Sequence, residues 1–98
     1  MSNVIKRCQT LAKISDSPVG ISRLYLSPSY RAGLNQVEKW MQQANMKTWI
    51  DSVGNLWGRF ACKDETAPTL IIGSHLDTIP NAGMFDGILG VMVGIEVI

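Results

Sequence analysis

The chain has 98 residues, of which 46% are hydrophobic and 17% charged, and its formal net charge is +1. This composition is typical of a globular domain or part of one, and it excludes disordered and fibrous classes. Charges of both signs are interspersed and form no basic stripe, so we expect neither nucleic acid nor an anionic membrane as a partner. The sequence therefore predicts one domain at most, with a small neutral or weakly charged ligand.

Two cysteines and the amino-terminal sequence indicate the cellular compartment. Cys8 and Cys62 lie far apart and form no Cys-x-x-Cys pair, which favours reduced thiols over a disulfide scaffold. The amino terminus has neither the apolar core nor the cleavage site of a secretory signal. The apolar stretch 88–98 contains Glu96 and is much shorter than the roughly 20 residues that a membrane span needs. We therefore expect a cytoplasmic protein with no membrane-spanning segment.

Apolar side chains recur at helical spacing in three segments, which are residues 3–14, 29–44 and 85–98. Ser27 or Ser29 is available as the N-cap of the second helix, and Asn45 would end it, because asparagine tolerates the left-handed conformation. Gly90 and Gly94 in the last helix indicate close packing on a sheet.

Strand patterns lie between the second and third predicted helices. Apolar and polar residues alternate over 46–51 and again over 56–62, and the turn residues 52–55 between them predict a hairpin. Residues 69–74 form a short, uninterrupted apolar run that predicts a strand covered on both faces. Helices and strands together indicate an α/β fold.

The glycine-rich loop at residues 73–90 holds the only histidine of the chain, His75. His75 and Asp77 are two positions apart, so continued strand geometry would project both to one side, where the carboxylate could orient a metal-binding imidazole. Asp86 follows across a loop that could fold back to the same point. Spacing alone leaves an alternative open, with His75 a hydrogen-bonded strand-end residue, Asp77 a turn residue and Asp86 a helix N-cap.

The loop sequence Gly-Ser-His-Leu-Asp-Thr-Ile-Pro-Asn-Ala-Gly-Met-Phe-Asp-Gly resembles the first metal-binding motif of the M20 metallopeptidase clan. It is most similar to the amidase, hydantoinase and carbamoylase branch, which includes allantoate amidohydrolases and N-carbamoyl-L-amino-acid hydrolases. Three further segments agree in the same order: residues 21–24, 40–46 and 51–59. The departures are Asn45 and Ala82, which stand where glycine is common in this branch, and both are small or turn-tolerant.

The resemblance implies the N-terminal part of an α/β/α sandwich with a mixed sheet, in truncated form. Residues 1–98 would be the N-terminal portion of the catalytic metallohydrolase domain, and the dimerisation domain would be absent. The last helix reaches Val97 and Ile98 with no capping residue or polar tail, which also favours a fragment. Apolar surface left exposed by truncation predicts a homo-oligomer.

By position, the resemblance implies that His75 ligates one metal ion, that Asp86 bridges two, and that Asp77 is the catalytic-site carboxylate that orients His75. The complete enzyme would use two divalent ions, zinc or manganese with cobalt or nickel as alternatives. These would activate water for hydrolysis of a linear ureido or amide C–N bond, in allantoate or an N-carbamoyl amino acid.

The family's glutamate pair and further histidines have no counterpart in this sequence. Since zinc sites usually have three or four protein ligands, we expect the chain alone to bind metal weakly or not at all and to be inactive. Two alternatives are an M20 aminoacylase or peptidase, and a non-catalytic oligomerising protein that has the first half of the fold.

Overall fold

A computed structural model describes residues 2–98. Over this range the chain forms three helices and one two-stranded sheet, in the order α1 (Ser2–Ala12), α2 (Pro28–Gln43), β1 (Lys47–Ile50), β2 (Leu56–Arg59) and α3 (Ile88–Glu96). The predicted α/β character is confirmed for a small mixed unit. None of the helices in this range is both long and apolar enough to cross a membrane.

The ends of α2 follow from its sequence. Ser27 has extended backbone angles, and its hydroxyl accepts a hydrogen bond from the main-chain N–H of Tyr30, as an N-cap does. Pro28 occupies the first helical position, where its missing N–H costs nothing. After the helix, Asn45 adopts a φ of 64°, in the left-handed region that often ends helices. Both predicted ends are therefore confirmed.

The hairpin is antiparallel, with Trp49 opposite Trp57, and it is shorter than the predicted strands at 46–51 and 56–62. Its inner face packs so closely on α2 that a Cβ at Gly58 would lie 2.7 Å from the sulfur of Met41. On the other face the rings of Trp49 and Trp57 stack in parallel, with centroids 5.9 Å apart. The alternating pattern therefore predicted correctly which side chains share each face of the hairpin, but it predicted strands longer than those observed.

Asp51 organises the turn between the two strands. Its carboxylate accepts hydrogen bonds from the main-chain N–H groups of Val53 and Asn55, from the side-chain amide of Asn55 and from the indole N–H of Trp57. These bonds, that of Trp57 first, lower the pKa of Asp51 from 3.8 to about 2. The hydroxyl of Tyr30 also donates to the carbonyl oxygen of Gly54, which ties the turn to α2.

The core lies between the helices, where α1 packs on α3 and α2 packs on the hairpin. Its most deeply buried apolar side chains come from all three helices: Val4, Cys8, Leu11, Leu34, Val37, Ile88, Met92 and Ile95. Burying each of the larger ones stabilises the fold by about 1.5–3 kcal/mol. Both cysteines are free thiols, Cys8 buried and Cys62 exposed.

The prediction of a covered strand at residues 69–74 is wrong. The segment has no strand structure, and Leu70, Ile71 and Ile72 are 85%, 72% and 51% exposed. A strand exists only where another strand pairs with its N–H and C=O groups, and in residues 2–98 the two strands of the sheet pair only with each other. The apolar run therefore forms an exposed hydrophobic surface, and such a surface was expected for a truncated chain.

Candidate functional site

The structure brings His75 and Asp77 into direct contact. Nδ1 of His75 lies 2.9 Å from the main-chain oxygen of Asp77 and 3.4 Å from its carboxylate Oδ1. Since a carbonyl oxygen can only accept, Nδ1–H is the donor, and in the neutral ring Nε2 keeps its lone pair. Asp77 therefore holds the imidazole chiefly through its main-chain oxygen, with the carboxylate slightly farther away. About half of each side chain is exposed, at 50% for His75 and 45% for Asp77, so a ligand can reach them from solvent.

Gly87 packs directly against the imidazole of His75. A Cβ at this position would lie only 2.4–2.6 Å from three ring atoms, so no larger residue fits unless the ring moves. The φ of Gly87 is also +80°, which favours glycine on backbone grounds. Ser74, on the other side, donates a hydrogen bond of 2.7 Å to the carbonyl oxygen of Gly87. The end of the loop is thereby fixed next to the histidine.

Asp86 precedes this contact and is exposed. The N-cap of α3 is Gly87, with no side-chain capping bond, so the interpretation of Asp86 as that N-cap is wrong. Within residues 2–98 no group of three or more His, Cys, Asp and Glu side chains is placed to hold a metal ion. The structure thus pairs His75 with Asp77, and it does not gather Asp86 into a three-residue cluster with them.

A row of glycines on α3 lets the segment before His75 approach the helix. A Cβ at Gly90 would lie 2.8 Å from the hydroxyl of Ser74, and a Cβ at Gly94 would lie 3.2 Å from a methyl group of Ile72. The close packing predicted for Gly90 and Gly94 is confirmed, although their partner is an irregular segment rather than a sheet. The helix therefore supports the peptide that leads into the site.

Residues 20–23 hold the loop from its other side. The main-chain N–H of Ala82 donates to the oxygen of Ile21 at 2.7 Å, and that of Asn81 donates to the hydroxyl of Ser22 at 3.1 Å. Arg23 follows, with only 1% of its side chain exposed. Burial lowers the pKa of Arg23, and the negative charge of Asp77 acts in the opposite direction.

Residues 21–24 are one of the segments that carry the family resemblance, but the sequence predicts no role for Arg23. Arginine is rarely buried, and its burial here depends on carbonyl groups supplied by distant parts of the chain. The one available signal was an arginine inside an otherwise irregular, partly apolar stretch. That signal does not identify the partners.

Comparisons with known proteins show which family this chain resembles in sequence and in fold. No family model matches the chain. It is 40% identical over 94 residues to allantoate deiminase 1 from Glycine max, covering 96% of this chain and 20% of the relative. It is also 37% identical over 94 residues to an N-carbamoyl-L-amino-acid amidohydrolase from Pseudomonas sp. (strain NS671), covering 96% and 22%. A crystal structure of a hydantoinase/carbamoylase family amidase from Burkholderia ambifaria matches with a TM-score of 0.91 and 38% identity, over 98% of this chain and 24% of that chain.

This chain belongs to the hydantoinase/carbamoylase family of amidases. The predicted resemblance is confirmed by sequence and by fold. The chain spans about a fifth of the length of the curated relatives that it matches. What it shares with the family is therefore one segment of the fold, the segment that carries His75, Asp77 and Asp86.

Proposed function

We propose that this chain carries the first metal-ligating segment of a binuclear-metal amidohydrolase acting on linear ureido or amide C–N bonds. The observation that supports the proposal is the contact between His75 and Asp77, which leaves Nε2 of a half-exposed imidazole available to an ion. The relatives named allantoate deiminase and N-carbamoyl-L-amino-acid amidohydrolase suggest allantoate or an N-carbamoyl amino acid as substrate. The free thiols of the chain are consistent with a cytoplasmic location.

Each residue has a separate role in this proposal. Nε2 of His75 would hold one ion, and the carboxylate of Asp86, with two oxygens, would be shared between that ion and a second. Asp77 keeps the ring of His75 in the orientation that the ion needs. When bound, the divalent ions, zinc or manganese with cobalt or nickel as alternatives, supply a water of lowered pKa and polarise the substrate carbonyl.

The chemistry of these donors fits such ions, but their number does not. Imidazole and carboxylate are ordinary ligands of zinc and manganese, and a complete zinc site has three or four protein ligands. Residues 2–98 contain no cluster of three. We therefore propose that the chain alone binds divalent metal weakly and does not catalyse hydrolysis, the remaining ligands being contributed by sequence outside these residues.

A zinc titration of the metal-free chain tests the metal assignment. Because His75 is the only histidine, its ring signals in an NMR spectrum are unambiguous. We expect added Zn²⁺ to shift the His75 signals, and Asp86→Asn to weaken the response. Asp64→Asn is the matched control, because Asp64 accepts hydrogen bonds from Thr66 in a separate exposed turn.

Two outcomes would contradict the proposal. His75 signals that do not respond to Zn²⁺ would remove the metal role, and an equal effect of the Asp64 and Asp86 variants would remove the bridging role. In parallel, the chain should show no turnover of allantoate or N-carbamoyl amino acids. Turnover would show that the site is complete without further ligands.

A further inference from the structure

Arg23 is the largest fully buried side chain in the part of the chain that the structure describes. A buried guanidinium is costly unless its N–H groups find acceptors. Here they find three main-chain carbonyl oxygens: Nε donates to Leu76 at 2.9 Å, and Nη1 donates to Leu11 at 2.8 Å and to Ile14 at 2.7 Å. The side chain therefore links two regions of the backbone that are far apart in sequence.

One of these regions is the candidate site itself. Leu76 lies between His75 and Asp77, so the bond from Nε to its carbonyl oxygen fixes the peptide that joins them. The main chain of Arg23 also forms two hydrogen bonds with Thr78, two residues after Leu76. Its N–H donates to the hydroxyl of Thr78, and the N–H of Thr78 donates to the oxygen of Arg23, both at 2.8 Å. Asp77 is thus bracketed by two residues that Arg23 holds.

The other region is the carboxyl-terminal end of α1. Carbonyl groups in the last turn of a helix have no partner within the helix, and Leu11 and Ile14 lie at and just beyond that turn. The guanidinium of Arg23 supplies donors for both. On α2, Gly33 leaves room for the arginine, because a Cβ there would lie 3.2 Å from its Cδ.

We propose that Arg23 is a positioning residue, which fixes His75 and Asp77 relative to the end of α1 and so sets the orientation of the imidazole. The importance of that orientation for metal binding rests on the proposed function. The hydrogen bonds by which Arg23 links these groups do not depend on the proposed function, because they form within this chain in the absence of metal.

The link is tested in metal-free protein with Arg23→Gln and Arg23→Lys. Two readouts are used: the NMR cross-relaxation between the His75 ring and the α-protons of Gly87, which are in contact, and hydrogen exchange of the Thr78 amide. We expect Arg23→Gln to abolish the His75–Gly87 signal. The variant keeps the main-chain bond of Thr78 but loses the buried bond to the Leu76 carbonyl two residues earlier, so exchange at the Thr78 amide should be faster by about tenfold. Lysine keeps the charge but lacks the planar fork, so it should restore the signal only in part.

Val4→Ala is the matched control, because it removes buried volume at the opposite end of α1 from Leu11. It should lower stability while leaving the His75–Gly87 signal intact. If Arg23→Gln does not fold, Arg23→Lys decides, since lysine keeps the charge and the alkyl chain but lacks the planar fork that reaches the carbonyl groups of Leu11, Ile14 and Leu76.

The positioning role is overturned if the folded Arg23→Gln chain, or Arg23→Lys in its place, keeps the His75–Gly87 signal at the level of the Val4→Ala control. It is also overturned if Val4→Ala abolishes that signal equally. Failure of the wild-type chain to respond to Zn²⁺ would overturn the proposed function instead, and it would leave the metal-free result standing.

Discussion

The imidazole of His75 has its position because residue 87 has no side chain. We expect Gly87→Ala to displace the ring, since its Cβ would lie 2.4 Å from a ring carbon and the +80° φ is strained for any other residue. The strain alone should cost about 1–3 kcal/mol of stability. Urea denaturation gives the loss, and the His75 ring signals report the displacement. Gly83→Ala is the matched control, because nothing lies within 4 Å of its Cβ position; if both variants behave alike, the packing argument fails.

Asp51 makes the hairpin turn sensitive to acid. Its pKa in the folded chain is depressed to about 2, so the carboxylate contributes stability that is complete above the ordinary value of 3.8 and is lost as the pH falls toward 2. We expect the fluorescence of Trp57, whose indole N–H donates to Asp51, to change over this pH window. Asp51→Asn should remove the transition. Asp64→Asn should leave it in place, and a transition that persists in the Asp51 variant would contradict this assignment.

Among the elements, α3 is shaped by its glycines for contact with residues 72–74. Alanine at position 90 would favour the helix by about 0.5–1 kcal/mol, but its Cβ would lie 2.8 Å from the hydroxyl of Ser74. The Cβ of Ser74 would also lie close, at 2.9 Å, so only glycine at position 74 would relieve the contact. We therefore expect Gly90→Ala to give no net gain in the free energy of unfolding, and Gly90→Ala with Ser74→Gly to recover more than the sum of the two single changes. A double-mutant cycle measures this coupling. Strictly additive effects would show that the two residues do not compete for space.

The ends of α2 could be predicted from sequence because they depend on residues close along the chain. Ser27, Pro28 and Asn45 define α2 because capping depends on backbone groups within a few residues. Residues 69–74 show the converse, since their apolar run is compatible with a strand but the strand depends on a partner elsewhere. A pattern in one segment carries no information about whether its partner is present. The strand prediction therefore failed because no strand in the described part of the chain pairs with residues 69–74, and not because their sequence disfavours a strand.

In the candidate site, too, contacts between residues close in sequence were predicted and contacts between distant residues were not. His75 and Asp77 are close in sequence and were identified from it, and their contact requires only a short turn of backbone. Arg23 was missed because its role depends on carbonyl groups at Leu11 and Leu76, which only the folded chain brings together. Asp51 was assigned to the end of the first predicted strand, whereas β1 ends at Ile50 and Asp51 belongs to the turn. Its bond to the indole of Trp57 depends on the register of the hairpin.

At the level of the whole molecule, apolar surface is left open beside the hairpin. Leu70, Ile71 and Ile72 border a cavity of about 970 Å³ that extends to α3. Exposed apolar segments with unpaired backbone groups favour association between chains. We therefore propose a homo-oligomer in which a second copy covers this surface.

Sedimentation velocity over a range of concentrations tests this proposal. The wild-type chain should associate, and Ile71→Lys should shift the population toward monomer. Val19→Lys is the control, because Val19 is as exposed as Ile71 but does not line the cavity. A wild-type chain that stays monomeric, or a Val19 variant that dissociates equally, would contradict association through residues 70–72.

The hydrogen bonds of Arg23 also have a consequence for the order of folding. Those to Leu76 and Thr78 close loops of 53 and 55 residues, whereas α2 and the hairpin depend on neighbours along the chain. Contacts of high sequence separation carry a larger entropic cost before they are rewarded, so they tend to form late. We expect pulse-labelling hydrogen exchange during refolding to protect α2 before the amide of Thr78, and the reverse order would be inconsistent with this account. The chain would thus acquire its secondary structure first and the geometry around its only histidine last.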